Sequence, residues 1–224
     1  KDARRHLERA WLTVRLSLID DSNRGDHFHL TPADTCFYLF EYTSHRDYSF
    51  SQTNSLISNL KKKPSQSSNA GYYHKGRAIM SCAQTLAATL NPNWLNSATL
   101  VPTPGSKARD HPDYDDRIER ICRLMRNPEP DVRNLVYQTQ STAASHEVAQ
   151  GNRVTVQQLI EAYAIDEAAA QRTPTSIGIV DDVLTAGTHF RAMHSVLSAR
   201  FPGVPIIGLF VARRVFPADD FDML

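Results

Sequence analysis

SIGIVDDVLTAGTHFRAM, residues 176–193, decides how this chain is read. A short apolar run from Ile177 to Val180 meets two adjacent carboxylates, Asp181 and Asp182. A turn of small residues, Thr185-Ala186-Gly187-Thr188, then opens an amphipathic helix. The pattern predicts strand, acidic tip, anion-binding turn and helix. Side chains alternate along a strand, so the two acids point in different directions at its carboxyl end, where open α/β sheets bind their ligands. The N–H groups from Thr185 to His189 have no helical partners and, with the helix dipole behind them, suit a phosphate. Gly187 lets the chain pass close to that anion. The acids lie farther back, where a sugar attached to the phosphate offers hydroxyls and where a magnesium-bound ligand can be held. The plainer reading is a structural strand-turn-helix with two solvated acids.

Toward the carboxyl end, residues 206–212 read as a strand ending at Arg213-Arg214. Toward the amino end, residues 98–101 form a short strand running into Pro102-Thr103-Pro104-Gly105-Ser106-Lys107, followed by a charged stretch and a helix over 114–125. Residues 134–139 read as a strand, 140–153 as a long polar loop and 154–170 as a helix. Strands thus alternate with helices from residue 98 onward, which predicts an α/β fold with a mainly parallel sheet flanked by helices. Upstream, residues 76–90 place Ile79, Cys82, Leu86 and Leu90 on one helical face. Residues 53–61 form a short helix ending in Lys61-Lys62-Lys63; these lysines complement the helix dipole, and one of them can face an anionic substrate. Residues 36–43 are an aromatic-rich strand, and Leu7, Trp11, Val14 and Leu18 predict an amphipathic helix over 3–19. The first 75 residues alternate less cleanly, so residues 1–75 are expected to form an N-terminal helix and hood on an α/β core of residues 76–224.

The 224 residues are 41% hydrophobic and 22% charged, which suits one large core, and a net charge of +1 gives no general attraction to nucleic acid or anionic membrane. Any anion site must be local. Cys36, Cys82 and Cys122 stand far apart in apolar surroundings, as expected of buried free thiols in a reducing, cytoplasmic setting. No apolar stretch is long enough to span a bilayer, and the first residues, Lys-Asp-Ala-Arg-Arg, are not signal-like. The start at Lys1 fits a chain lacking part of its native N-terminus. P-loop, dinucleotide-binding and zinc-hydrolase motifs are missing from the sequence.

The run of hydrophobic strand, Asp-Asp, Val, Leu and Thr-Ala-Gly-Thr resembles the phosphoribosyl pyrophosphate (PRPP) signature of type I phosphoribosyltransferases. With PRPP as ligand, its pyrophosphate needs cations and backbone donors on a different strand end, and residues 104–109 supply them through Gly105, Ser106, Lys107 and Arg109. In order as well as motif the chain is similar to ComF-like phosphoribosyltransferases. The matching pieces are residues 54–61, 76–90, Val101-Pro102-Thr103-Pro104, residues 114–117, residues 179–188 and Ala212-Arg213. The resemblance covers residues 37–213; it departs at Pro112-Asp113-Tyr114-Asp115-Asp116-Arg117, where the family has Arg-Gly-Phe-Asn-Gln. A zinc-binding cysteine segment is also missing ahead of the core, so the family's acceptor does not carry over.

The resemblance implies that Asp181 and Asp182 hold the ribose hydroxyls, that Lys107 and Arg109 hold the pyrophosphate with Mg²⁺ bound through PRPP, and that Tyr114 and Arg117 orient the loop from the start of its helix. Catalysis would rest on positioning and charge stabilisation as pyrophosphate leaves an oxocarbenium-like ribose. Residues 138–153 would form a lid, with His146 and Arg153 reaching the ligand. Two other readings use the same site: a regulator that senses PRPP or a nucleotide without turnover, and an effector enzyme that consumes either under a partner's control. A protein partner or a homo-oligomer is compatible with each.

Overall fold

The computed structural model describes residues 14–107, 111–139 and 154–217. Ser17–Leu18 form a short strand, β1, antiparallel to Thr35–Thr43, β2. Gln52–Leu60 is helix α1, whose N-cap Ser51 accepts the Asn54 N–H. The chain continues through Tyr73–Thr89 (α2), Pro92–Ser97 (α3), Thr99–Pro102 (β3), Arg117–Leu124 (α4) and Asp131–Val132 (β4). Val136–Gln138 (β5), Val156–Ala162 (α5), Tyr163–Ile165 (β6), Ile177–Leu184 (β7), Thr188–Arg200 (α6) and Ile206–Val215 (β8) follow.

Six strands form one sheet in the order β1-β2-β8-β7-β3-β4, parallel throughout except for β1 against β2. Alternation along the strands divides the apolar residues between two cores. One face collects Leu39, Leu100, Val180 and Leu209 with Ile57, Ile79, Leu86 and Ile121 of α1, α2 and α4. The other collects Cys36, Tyr38, Val101, Ile177, Ile179 and Phe210 with Phe190, Met193 and Leu197 of α6 and Leu159 of α5. The central strands β7 and β8 are therefore apolar on both sides, as a parallel sheet covered by helices requires. Cys36 lies in the second core and Cys82 and Cys122 in the first; all three are free and buried. Among the described residues no helix is long and apolar enough to cross a membrane.

Several elements depart from the sequence reading. Residues 3–13 of the expected first helix lie outside the described residues, but residues 14–19 are not helical: Ser17 pairs with Tyr38 and Leu18 with Phe37. Val14, Leu16 and Leu18 alternate with Arg15 and Ser17, and this period of two, available to an edge strand, prevails over the helical spacing. Within residues 1–75, β1 and β2 belong to the main sheet, with β2 hydrogen-bonded in parallel to β8. The helix expected over 154–170 ends at Ala162, after which Tyr163–Ile165 pairs antiparallel with Val136–Gln138 as a separate two-stranded sheet. The short β4, not anticipated, takes the edge beside β3. The loop of residues 140–153 lies outside the described residues.

The close approach of β8 to its neighbours depends on Gly208. A Cβ there would stand 2.7 Å from Phe210 Cε2, 2.9 Å from Cys36 Sγ and 3.0 Å from Phe190 Cε2. Gly208→Ala should therefore cost about 1–3 kcal/mol through overpacking. Denaturant unfolding would read this as a lower midpoint with an unchanged slope, and an unchanged midpoint would show that the aromatic pair yields freely.

Candidate functional site

The register sets the carboxyl end of β3 beside the middle of β7, which runs on to Leu184. Pro102 lies opposite Val180, and the next N–H, of Thr103, donates to the Val180 carbonyl at 2.9 Å. The loop leaving β3 thus starts beside Asp181 and Asp182. An open cleft of about 180 Å³ lies there, lined by Lys61, Lys63, Gly105, Ser106, Lys107, Asp113, Asp115, Arg117, both aspartates, Thr185 and His189. A smaller hollow of about 30 Å³ lies alongside the same loop, lined by Tyr114, Asn134, Tyr137 and Gln138.

The two acids differ in their surroundings because strand alternation separates them. Asp182 shares parity with Val180 and reaches α4, where its Oδ2 accepts from Arg117 Nε at 3.0 Å and Nη2 at 2.7 Å. Lys61 Nζ approaches the other oxygen of Asp182 at 3.5 Å. Arg117 also donates through Nη1 to Asp115 Oδ2 at 2.7 Å, and that oxygen takes the Lys75 ammonium at 2.7 Å. Lys75 is only 1% exposed and spends its other protons on the carbonyls of Leu60 at 2.6 Å and Lys62 at 2.8 Å. Those two carbonyls flank Lys61, so Lys75 fixes the backbone that aims Lys61 at Asp182.

Burial raises both aspartates toward the neutral form, but the outcome differs. For Asp182 the Lys61 and Arg117 charges outweigh burial and hold the carboxyl well below its usual range. For Asp181 burial, reinforced by the charge of Asp182, pushes the pKa up to about 7. Asp181 therefore stands as a cleft carboxyl poised between its two forms, the kind of perturbed group that concentrates at functional sites. His189, in the first turn of α6, contacts the Tyr163 hydroxyl through Nδ1 at 2.7 Å, and burial lowers its pKa to about 4. It is neutral at physiological pH.

The turn after β7 is built as the sequence suggests, with Gly187 at φ 86° as the N-cap of α6. A side chain there meets both the left-handed backbone penalty and Leu30, whose Cδ2 would stand 3.0 Å from the added Cβ. The first N–H groups of α6 have no carbonyl of their own helix to donate to.

Of the residues singled out in the sequence, the cleft brings together Asp181, Asp182, Ser106, Lys107, Arg117, Thr185 and His189. Ala186, Gly187 and Thr188 complete the turn behind Thr185. Tyr114 is not on the helix: α4 begins at Arg117, and Tyr114 sits in the preceding turn beside the smaller hollow. Arg109, His146 and Arg153 lie outside the described residues. The sequence reading missed Asp115 and Lys75. Lys75 carried a signal, since it stands four residues before Ile79 and seven before Cys82, on the buried stripe of α2. Among the described residues no group of three or more His, Cys, Asp or Glu is arranged to hold a metal ion. No protein-family model matches the chain, and no curated protein sequence matches it.

The two aspartates should respond oppositely to substitution. Asp182→Ala leaves the buried Arg117 with Asp115 alone and takes the carboxylate from Lys61, and should cost about 3 kcal/mol in urea unfolding. Asp181→Asn should stabilise at neutral pH. Between the unfolded value of 3.8 and the folded value of about 7, folded Asp181 holds the extra proton, so it lowers stability as pH rises. His189 acts with the opposite sign: between 6.5 and about 4 the unfolded state binds the extra proton, and stability falls as pH falls. Thermal melts from pH 4 to 8 should therefore show Asp181→Asn gaining on the wild type as pH rises, by up to ~1 kcal/mol per unit. A gap independent of pH would exclude the raised pKa of Asp181.

Proposed function

We propose that the chain is a type I phosphoribosyltransferase-like enzyme. It binds Mg²⁺-PRPP in the cleft and transfers the phosphoribosyl group to, or releases it from, a base or nucleotide, with pyrophosphate as the leaving group. One observation carries this reading: the basic loop after β3 and the small-residue turn after β7 leave adjacent parallel strands and flank a single cleft that contains Asp181. A ligand with an anion at each end and a polyol between them fits that order.

In this reading the turn from Thr185 to His189 takes the 5′-phosphate with backbone N–H groups, and neutral His189 adds no charge of its own. Ser106 and Lys107 take the pyrophosphate, and Lys61 adds a second cation from the end of α1. Asp181 accepts the ribose hydroxyls. Asp182 contributes through Arg117, whose guanidinium it fixes at the cleft wall. Mg²⁺ fits as an ion carried by the ligand, because pyrophosphate-bound magnesium needs only one or two protein carboxylates and Asp181 faces the cleft. When bound, the ion neutralises charge on the departing pyrophosphate. The protein's own part is to align the anomeric carbon between its two anion sites and to stabilise charge there.

Calorimetry with three ligands tests the assignment. Lys107→Ala should weaken pyrophosphate and PRPP binding about ten- to a hundredfold while sparing ribose 5-phosphate, which has no pyrophosphate. An equal loss for all three ligands would assign Lys107 to folding or to general electrostatics. Pyrophosphate release is then measured against a panel of bases and nucleotides; tight PRPP binding without release with any of them replaces the enzyme with a sensor.

A further inference from the structure

The turn after β7 is gripped from behind by residues 26–34. His27 is 0% exposed, and its Nδ1 hydrogen-bonds the Thr185 carbonyl. Two residues on, the His29 N–H donates to the Ala186 carbonyl at 3.0 Å, and Leu30 packs over Gly187. The segment is fastened at both ends. Asp26 pairs with Arg213 of β8 at 3.3 Å, while Asp34, bonded to the N–H and hydroxyl of Thr31, pairs with Arg191 of α6 at 2.6 Å.

A planar trans peptide points its C=O and its N–H in opposite directions. Drawing the carbonyls of Thr185 and Ala186 toward residues 27–29 therefore turns the N–H groups of Ala186 and Gly187 away from that segment. A carbonyl only accepts, so Nδ1 of His27 must carry the proton, and the buried Nε2, which has no hydrogen-bond partner among the described residues, is left with a lone pair.

We propose that His27 is a positioning residue of the turn: as the neutral Nδ1–H tautomer it sets the direction in which the turn presents its N–H groups to a phosphate. The proposal rests on the reading of that turn as the 5′-phosphate site. Its chemistry is hydrogen-bond donation from one ring nitrogen to one backbone oxygen, and burial of the ring, which lowers its pKa, keeps the neutral form in place.

The test uses His27→Phe, which keeps the ring and removes the donor, and His27→Asn, whose side-chain amide places a donor near the position of Nδ1. Ribose 5-phosphate should bind about tenfold more weakly to His27→Phe, whereas Mg²⁺-pyrophosphate binds as it does to the wild type. His27→Asn should recover most of the loss. Amide exchange gives a readout without ligand: residues 186–189 should exchange faster in His27→Phe than in His27→Asn or the wild type. Unchanged ribose 5-phosphate binding in His27→Phe overturns the proposal, as does an equal loss for both ligands or a failure of Asn to rescue. Wild-type protein that binds neither ligand overturns the 5′-phosphate reading itself, and equal exchange in the two variants then overturns the brace independently.

Discussion

Arg117 reaching Asp182 is the contact on which the rest of the cleft depends. It ties the first residue of α4 to the carboxyl end of the central strand β7, and through Asp115 it extends to Lys75 of α2 and the end of α1. Four elements distant in sequence thus meet at one set of charges. Isolated, each charge would be expensive to bury; here three cations, Lys61, Lys75 and Arg117, share two carboxylates, Asp115 and Asp182, with well-formed hydrogen bonds. The surplus positive charge faces the cleft through Lys61, whose side chain remains 35% exposed.

This arrangement gives two neighbouring acids different duties. A pair of aspartates looks uniform in sequence, yet alternation sends one into the charge network and leaves the other half-buried in the cleft wall, near Tyr163. Asp182 serves the framework and gains from being ionised. Asp181 gains nothing comparable from the fold and lowers stability where it stands, a pattern that concentrates at functional sites.

The elements of regular period were legible in the sequence. Residues 177–180 as a strand, Gly187 at the head of a helix and the apolar face of α2 all follow from local pattern, and each is found within a few residues of its expected bounds. What escaped were features decided by partners far away. Val14 to Leu18 fit both a helix and a strand, and only the free edge of β2 chooses between them. Tyr163–Ile165 continues a helical composition, but pairing with Val136–Gln138 claims it. The site divides in the same way. Lys107, Asp181 and Thr185 announce themselves by motif, whereas Asp115 and Lys75 acquire their roles only when α2 and α4 pack together. His27 gave no local sign of its contact with Thr185, which lies 158 residues away.

Burial of the thiols divides the fold in a further way. Burial raises the pKa of each cysteine far above that of a free thiol, so alkylating reagents find almost no thiolate in the native state. Modification must then wait for the chain to open, and the opening differs by layer: Cys36 reports on the core beneath α6, Cys82 and Cys122 on the core beneath α2 and α4. The three sulfurs amount to a built-in clock for the two faces of the sheet. Equal labelling rates would mean that the faces come apart together, and unequal rates would name the face that loosens first.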